Sequence, residues 1–184
     1  MAVSQDTVRT TYPGTDQLWL KTFDDNKKVS EIIYYTSGKE WMSADYSDNK
    51  SENWKWYYEN GNPYFEATII DDKIEGIYRI WYENGQLAEE ITFLHNLENG
   101  AAKYYHSNGQ IATYGKYEQG KMVGEWYFFN EKGEKASGTW KWNFGALPND
   151  VRMEGILSDG KRVGKWTYRT TARGREYRLF VNQF

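Results

Sequence analysis

Two histidines, three adjacent acid pairs and a basic C-terminal stretch are the residues whose types could carry chemistry. His95 and His106 stand 11 residues apart, one after the apolar run Ile91-Thr92-Phe93-Leu94 and one in an aromatic, turn-like stretch. A metal site needs three or four converging ligands, and no such cluster is readable around either. The chain has no cysteine, which excludes thiolate sites and disulfides. The acid pairs are Asp24-Asp25, Asp71-Asp72 and Glu89-Glu90. Neighbours in a strand point to opposite faces, so these make poor acid–base dyads, and in turns such residues are ordinarily solvated. The serines lack an activating histidine. The glycines fall singly after aromatic runs and open no helix, so no phosphate-cradling loop is present. The expectation is a protein with no catalytic residues, no metal and no cofactor.

The elements that carry these residues are set by glycine spacing. Gly38, Gly61, Gly85, Gly109 and Gly133 follow at steps of 23, 24, 24 and 24, and Gly76, Gly100 and Gly124 keep the step of 24. A fixed period of this length marks stacked supersecondary units. Each unit opens with an aromatic run, such as Gly76-Ile77-Tyr78-Arg79-Ile80-Trp81-Tyr82. Asn-Gly follows at 60–61, 84–85 and 108–109, and the spacing predicts a hairpin there because both residue types tolerate positive φ. A second strand and a polar turn complete the unit, for example Asp71-Asp72-Lys73 or Glu118-Gln119-Gly120-Lys121. No segment has helical periodicity over 11 or more residues. The fold class expected is all-β: an elongated antiparallel meander of hairpins in an open, twisted sheet. His106 stands where the preceding unit has Tyr82, which makes it a substitution within the frame.

The last unit is displaced. Gly120-Lys121-Met122-Val123-Gly124-Glu125-Trp126 returns 40 residues later as Gly160-Lys161-Arg162-Val163-Gly164-Lys165-Trp166. Sixteen residues are therefore inserted into one period, and the insertion is expected near residues 141–150. Longer loops in repeat arrays often carry binding; protection of the sheet edge is the alternative. The organisation expected is a cap over 1–29, an array over 30–168 and a basic cap over 169–184.

Nine Trp and 16 Tyr separate this chain from a disordered one. By the period of two, positions two and four after the leading glycine share one face. They hold Trp54, Tyr78, Ala102, Trp126 and Trp166, and Trp56, Ile80, Tyr104, Phe128 and Tyr168. Position five, with Tyr57, Trp81, Tyr105 and Phe129, points to the other face. Both faces thus carry rings, as a thin core or as a binding strip. The aromatic candidates for binding are Trp54, Trp56, Tyr57, Trp81, Tyr104 and Tyr105.

Charge supplies the remaining candidates. Residues 151–184 hold 8 Lys/Arg against 3 Asp/Glu, and residues 1–150 hold 15 against 23. Lys161, Arg162, Lys165 and Arg169 could meet anionic lipid or an acidic protein, or could blunt a sheet edge. The acidic body opposes general nucleic-acid binding and leaves head-to-tail self-association open. No apolar run nears the roughly 20 residues of a spanning helix. The compartment is not set by the sequence.

The pattern Gly-x-Trp-x-x-Tyr-x-x-Asn-Gly-Gln-Leu, followed by a strand and Gly-Lys-x-x-Gly, resembles MORN repeats. It is most similar to the bacterial variant found in proteins labelled YwqK-family antitoxin components. Tyr82-Glu83-Asn84-Gly85-Gln86-Leu87 and Gly120-Lys121-Met122-Val123-Gly124-Glu125-Trp126 match best. The resemblance covers about residues 30–135 and a half-unit at 151–168. It implies a row of hairpins serving as a non-enzymatic scaffold for a protein partner, with a regulatory or antitoxin-like role and no catalytic residues to carry over. Glu52, Ala102 and Lys132 depart from the pattern at single positions. Trp56-Tyr57-Tyr58-Glu59-Asn60-Gly61 also resembles the aromatic–glycine repeats of choline- and cell-wall-binding modules, whose period is nearer 20. A glycan binder and an anionic-membrane binder are therefore the alternatives.

Overall fold

The protein is described by a computed structural model covering residues 5–46, 51–144, 151–172 and 175–183. These residues form one antiparallel sheet of 15 strands. The first unit-like strands are β1 (Asp6–Thr11), β2 (Leu18–Asp24), β3 (Lys27–Tyr34) and β4 (Glu40–Tyr46). The regular array continues with β5 (Ser51–Tyr57), β6 (Pro63–Ile70), β7 (Lys73–Trp81), β8 (Leu87–Leu94), β9 (Leu97–Tyr105), β10 (Ile111–Glu118) and β11 (Lys121–Phe128). The chain ends with β12 (Gly138–Phe144), β13 (Val151–Ser158), β14 (Lys161–Ala172) and β15 (Arg175–Gln183). From β1 to β11 every strand pairs with the next. The sequence boundary at residue 29 falls inside β3, and β1 and β2 already belong to the same sheet.

The two kinds of turn exchange the roles expected of them. After each aromatic run the Asn keeps negative φ and only the glycine is left-handed, as at Gly85 with φ 85°. Tyr82 N–H donates to Gln86 O and Gly85 N–H to Tyr82 O, at 2.8 and 2.9 Å. This is a three-residue loop closed by a left-handed glycine. Asn84 serves through its side chain instead: Oδ1 accepts from Gln86 N–H at 3.0 Å, and Nδ2 donates to Ser107 O in the next hairpin at 2.8 Å. The two-residue turns with positive φ at both positions lie at the opposite end of the hairpins. They are Asp25-Asn26, Asp71-Asp72, His95-Asn96, Gln119-Gly120 and Asp159-Gly160. Asp and Asn tolerate this region because their short polar side chains bond locally.

The second glycine ladder marks bulges. The β6–β7 register breaks between Glu66 and Thr68, opposite Gly76 with φ 78°. Equivalent breaks recur in β8–β9, β10–β11 and β13–β14. Repeated bulges bend and twist a sheet.

One face carries the core. A row of directly opposed residues runs Ile33, Met42, Trp56, Phe65, Ile80, Glu89, Tyr104, Thr113, Phe128. Beside it, small residues lie next to large ones: Ala44 opposite Trp54, Trp54 opposite Ala67 and Ile91 opposite Ala102, while Ala102 opposite Gly115 leaves room for the ring of Trp126. The rings lie down over these small neighbours. A Cβ built on Gly115 would stand 2.3 Å from Trp126 Cδ2, and one on Gly155 would stand 2.3 Å from Trp166 Cδ2. Each indole N–H then reaches a backbone carbonyl at 3.2 Å, of Lys116 and of Ile156. A single sheet thereby covers its own backbone, and Trp126, Phe128 and Trp166 are 0–2% exposed. Ala102 is small because it lies opposite Gly115, the residue that the Trp126 ring covers.

The meander ends at β11. Beyond it the order is β11-β14-β13-β12, with β15 pairing the edge of β14 that faces away from β13. The 40-residue equivalence places the extra segment at residues 138–153, which includes all of β12. Residues 145–150 of the expected insertion lie outside the described residues, as does Arg173.

Candidate interaction surface

On the outer face two parallel rows cross the sheet. The first is Lys55, Glu66, Arg79, Glu90, Lys103, Tyr114, Tyr127 and Lys161, each opposite the next in strand register. Its first five members alternate in charge, with N···O distances of 3.9, 3.5, 3.0 and 3.5 Å. Exposed pairs contribute little each; here each acid lies between two bases, which leaves the row a single net positive charge. Where the alternation would need another acid, Tyr114 and Tyr127 stack instead with centroids 5.1 Å apart, and Phe129 lies 5.9 Å from Tyr114.

The second row is apolar. It comprises the opposed pairs Tyr57 with Pro63, Trp81 with Leu87 and Tyr105 with Ile111, and ends at Phe129. These side chains are half-buried, except Ile111, which is exposed. From β5 to β11 the row crosses six strand steps, roughly 30 Å at about 4.8 Å each. Its ring-bearing residues are held in place by a ladder from the preceding repeat. Tyr35 Oη donates to Tyr57 O, Tyr58 Oη to Trp81 O and Tyr82 Oη to Tyr105 O, at 2.8, 2.8 and 2.7 Å. Burial raises the pKa of each of these tyrosines above its usual value, which extends the donor form further into alkaline pH. His106 replaces tyrosine in this ladder, with Nε2 3.0 Å from Phe129 O. Its polar edge does the work of a phenol, which explains the substitution.

The residues expected to bind separate by face. Tyr57, Trp81 and Tyr105 share the outer apolar row. Trp54, Trp56 and Tyr104 point to the core face, where Tyr104 is 4% exposed and its hydroxyl lies 3.1 Å from that of Tyr117. The period of two already separated the two groups, and the structure adds which face is covered. The basic cluster also divides. Lys161 Nζ donates to Glu125 Oε1 at 2.7 Å, and Tyr127 Oη donates to the other oxygen of the same carboxylate. These bonds hold Glu125 below its usual range, with Lys161 the larger cause. Arg162 is a correction: it is buried against the core face, with Nη1 3.7 Å from Met122 Sδ. It occupies the position of Met122 one unit earlier, where the strand period turns a side chain inward whatever its charge. Lys165 is exposed; the side chain of Arg169 lies outside the described residues.

The acids and histidines fall apart in the same way. Glu90 joins the ion row, while Glu89 lies between Ile80 and Tyr104 in the core row. Burial, and then the charge of Glu98, push the Glu89 carboxyl up to about 7. His95 sits in an exposed turn and contacts Glu75. No group of three or more metal-ligating acids and histidines occurs among the described residues. Sequence reading missed the charge row and the tyrosine ladder. Both were present as residues recurring at the repeat step, but their pairing required the strand register.

Each hairpin of the middle array coincides with one unit of a known repeat. Three stretches match the MORN repeat variant: residues 53–71, 74–95 and 98–119. They correspond to β5–β6, β7–β8 and β9–β10, the hairpins that carry the charge row and the three ring pairs. No curated protein matches the chain. A solved structure titled "Crystal Structure of TarM" is 11% identical, with a TM-score of 0.33. The likeness covers 60% of this chain and 19% of that one, so it spans about a fifth of the other chain's length.

Proposed function

We propose that this chain is a non-enzymatic repeat scaffold that binds a protein partner across the outer apolar row, in a regulatory, antitoxin-like role. The observation that carries this reading is the recurrence of Tyr57, Trp81 and Tyr105 beside a row of charges that pair with one another. An apolar strip bordered by paired charges suits a protein surface, where apolar contact supplies affinity and the polar border excludes mismatched partners. The rings alternate with Pro63, Leu87 and Ile111 and do not face one another, which favours a protein over a glycan held in an aromatic cage. The ion pair of Lys161 and the burial of Arg162 weaken the anionic-membrane alternative.

The test compares the intact protein with a Tyr57→Ser/Trp81→Ser/Tyr105→Ser variant of matching circular dichroism. Both are used as bait against soluble and envelope fractions, with choline, oligosaccharides and anionic vesicles as separate arms. A soluble protein retained at least tenfold better by the intact chain supports the reading. Equal retention by the variant, or binding only to sugar or vesicles, overturns it.

A further inference from the structure

The edge of β11 from Lys121 to Trp126 has no strand beside it among the described residues, because β14 meets β11 only at Tyr127↔Lys161. In the preceding unit the same edge is closed, with Gly100 opposite Tyr117, Ala101 opposite Lys116 and Ala102 opposite Gly115. The repeat spacing names the missing strand. Moved on by one unit, those pairs become Gly124 with Leu157, Glu125 with Ile156 and Trp126 with Gly155, all within β11 and β13. That edge of β13 is taken instead by the extra strand β12, in the pairs Gly138↔Leu157, Thr139↔Ile156 and Trp140↔Gly155.

The tip of the β13–β14 hairpin is displaced to match. Gly120 N–H donates to Glu98 O at 2.9 Å, whereas the equivalent Gly160 N–H donates to Ala136 O at 2.8 Å, and Gly160 O accepts from Phe128 N–H at 2.8 Å. The tip has moved along β11 from the level of Met122 to that of Phe128, roughly 20 Å at about 3.4 Å a residue. The side chains nevertheless keep the contacts of the regular unit. Trp166 lies over Gly155 as Trp126 lies over Gly115. Phe128 and Trp166 stand 5.9 Å apart, as Tyr104 and Trp126 stand 6.5 Å apart.

We propose that β11 and β12 compete for one edge of β13, so that the chain has a second strand register in which β13 closes the edge of β11 and β12 is released. The second register exchanges one backbone ladder for another. The Lys161–Glu125–Tyr127 contacts hold the present register, since they tie the displaced hairpin to β11. The second register presents β12 as a free strand able to pair with another chain. Two conformers of similar energy joined by such an exchange form a switch.

The chain has no cysteine, so introduced pairs report cleanly. Thr139→Cys/Ile156→Cys bridges directly opposed residues of the present register, and its disulfide locks β12 on β13. Glu125→Cys/Ile156→Cys bridges residues opposed only in the second register. The proposal expects both pairs to form within one chain on mild oxidation, as read by mass spectrometry under non-reducing conditions. It also expects amide exchange across residues 121–126 to quicken about twofold when the first pair is oxidised, compared with the same variant reduced, because two registers of similar energy keep that edge closed about half the time. Locking without any change in that exchange overturns the switch. So does a Glu125→Cys/Ile156→Cys pair that forms no bridge, or forms one only between chains, while the first pair closes fully.

Discussion

Gly115 and Glu89 show how single residues set limits on a core one side chain thick. Gly115 leaves room for the Trp126 ring, and an added methyl would overlap it. Gly115→Ala is expected to cost roughly 2–3 kcal/mol through overpacking, lowering Tm by about 4–12 °C for a chain of this length; thermal unfolding followed by Trp fluorescence measures it. Glu89 is placed by the same strand period in an apolar row, where its carboxyl is raised to about 7. The native state therefore holds a proton that the unfolded chain releases near pH 4.5. The favourable contribution is complete below about pH 4.5 and is lost as pH rises to about 7. Because the side chain keeps partial solvent contact, the change should be on the order of 1–2 kcal/mol. Glu89→Gln is expected to remove this slope, raising stability at pH 8 and leaving it near the wild-type value at pH 4.5. Urea titrations at the two pH values check both expectations.

Among the elements, the hairpins differ at their two ends. The Asn-Gly end is a glycine-closed loop whose Asn side chain reaches the next hairpin. The opposite end places two non-glycine residues at positive φ, as at Asp71 with 48° and Asp72 with 61°. Asp71→Asn/Asp72→Gly supplies the residue pair this turn geometry favours and is expected to stabilise the chain by about 0.5–1 kcal/mol, read as a raised urea midpoint at unchanged m-value. Tyr82→Phe removes the bond to Tyr105 O and should cost about 1 kcal/mol. His106 Nε2 faces a carbonyl, so it carries the proton in the neutral ring. Nitrogen chemical shifts at pH 8 should show the Nε2–H tautomer.

At the scale of the molecule, the extra 16 residues break an otherwise regular array. Excising residues 138–153 restores the spacing, joining Ser137 to Glu154 as Thr113 joins Tyr114. The shortened protein is expected to unfold cooperatively with a Tm no lower than that of the full chain, and to protect the amides of β11. Loss of cooperative unfolding would show that β12 is needed to complete the sheet. The charge row makes a second whole-molecule expectation. Its four ion pairs are partly exposed, so 1 M salt should screen them and change stability by less than about 1 kcal/mol.

The sequence alone determined the all-β hairpin array, because a period of 24 with aromatic runs and paired turns leaves few other ways to bury rings. It also separated Trp54, Trp56 and Tyr104 from Tyr57, Trp81 and Tyr105, since side chains alternate in any strand. It placed Glu89 and Glu90 on opposite faces for the same reason. Tertiary structure decided which face became the core. That choice rests on Gly115, Gly155 and Ala67 lying under or beside rings from other strands, and such cross-strand fits depend on register. It also decided that the Asn of Asn-Gly bonds sideways, because its partner carbonyl belongs to the next hairpin. The return of β14 to β11 depends on an edge that the spacing assigns to β13. Local spacing states which strands exist; competition between β11 and β12 for that edge can be settled only once all of them are assembled.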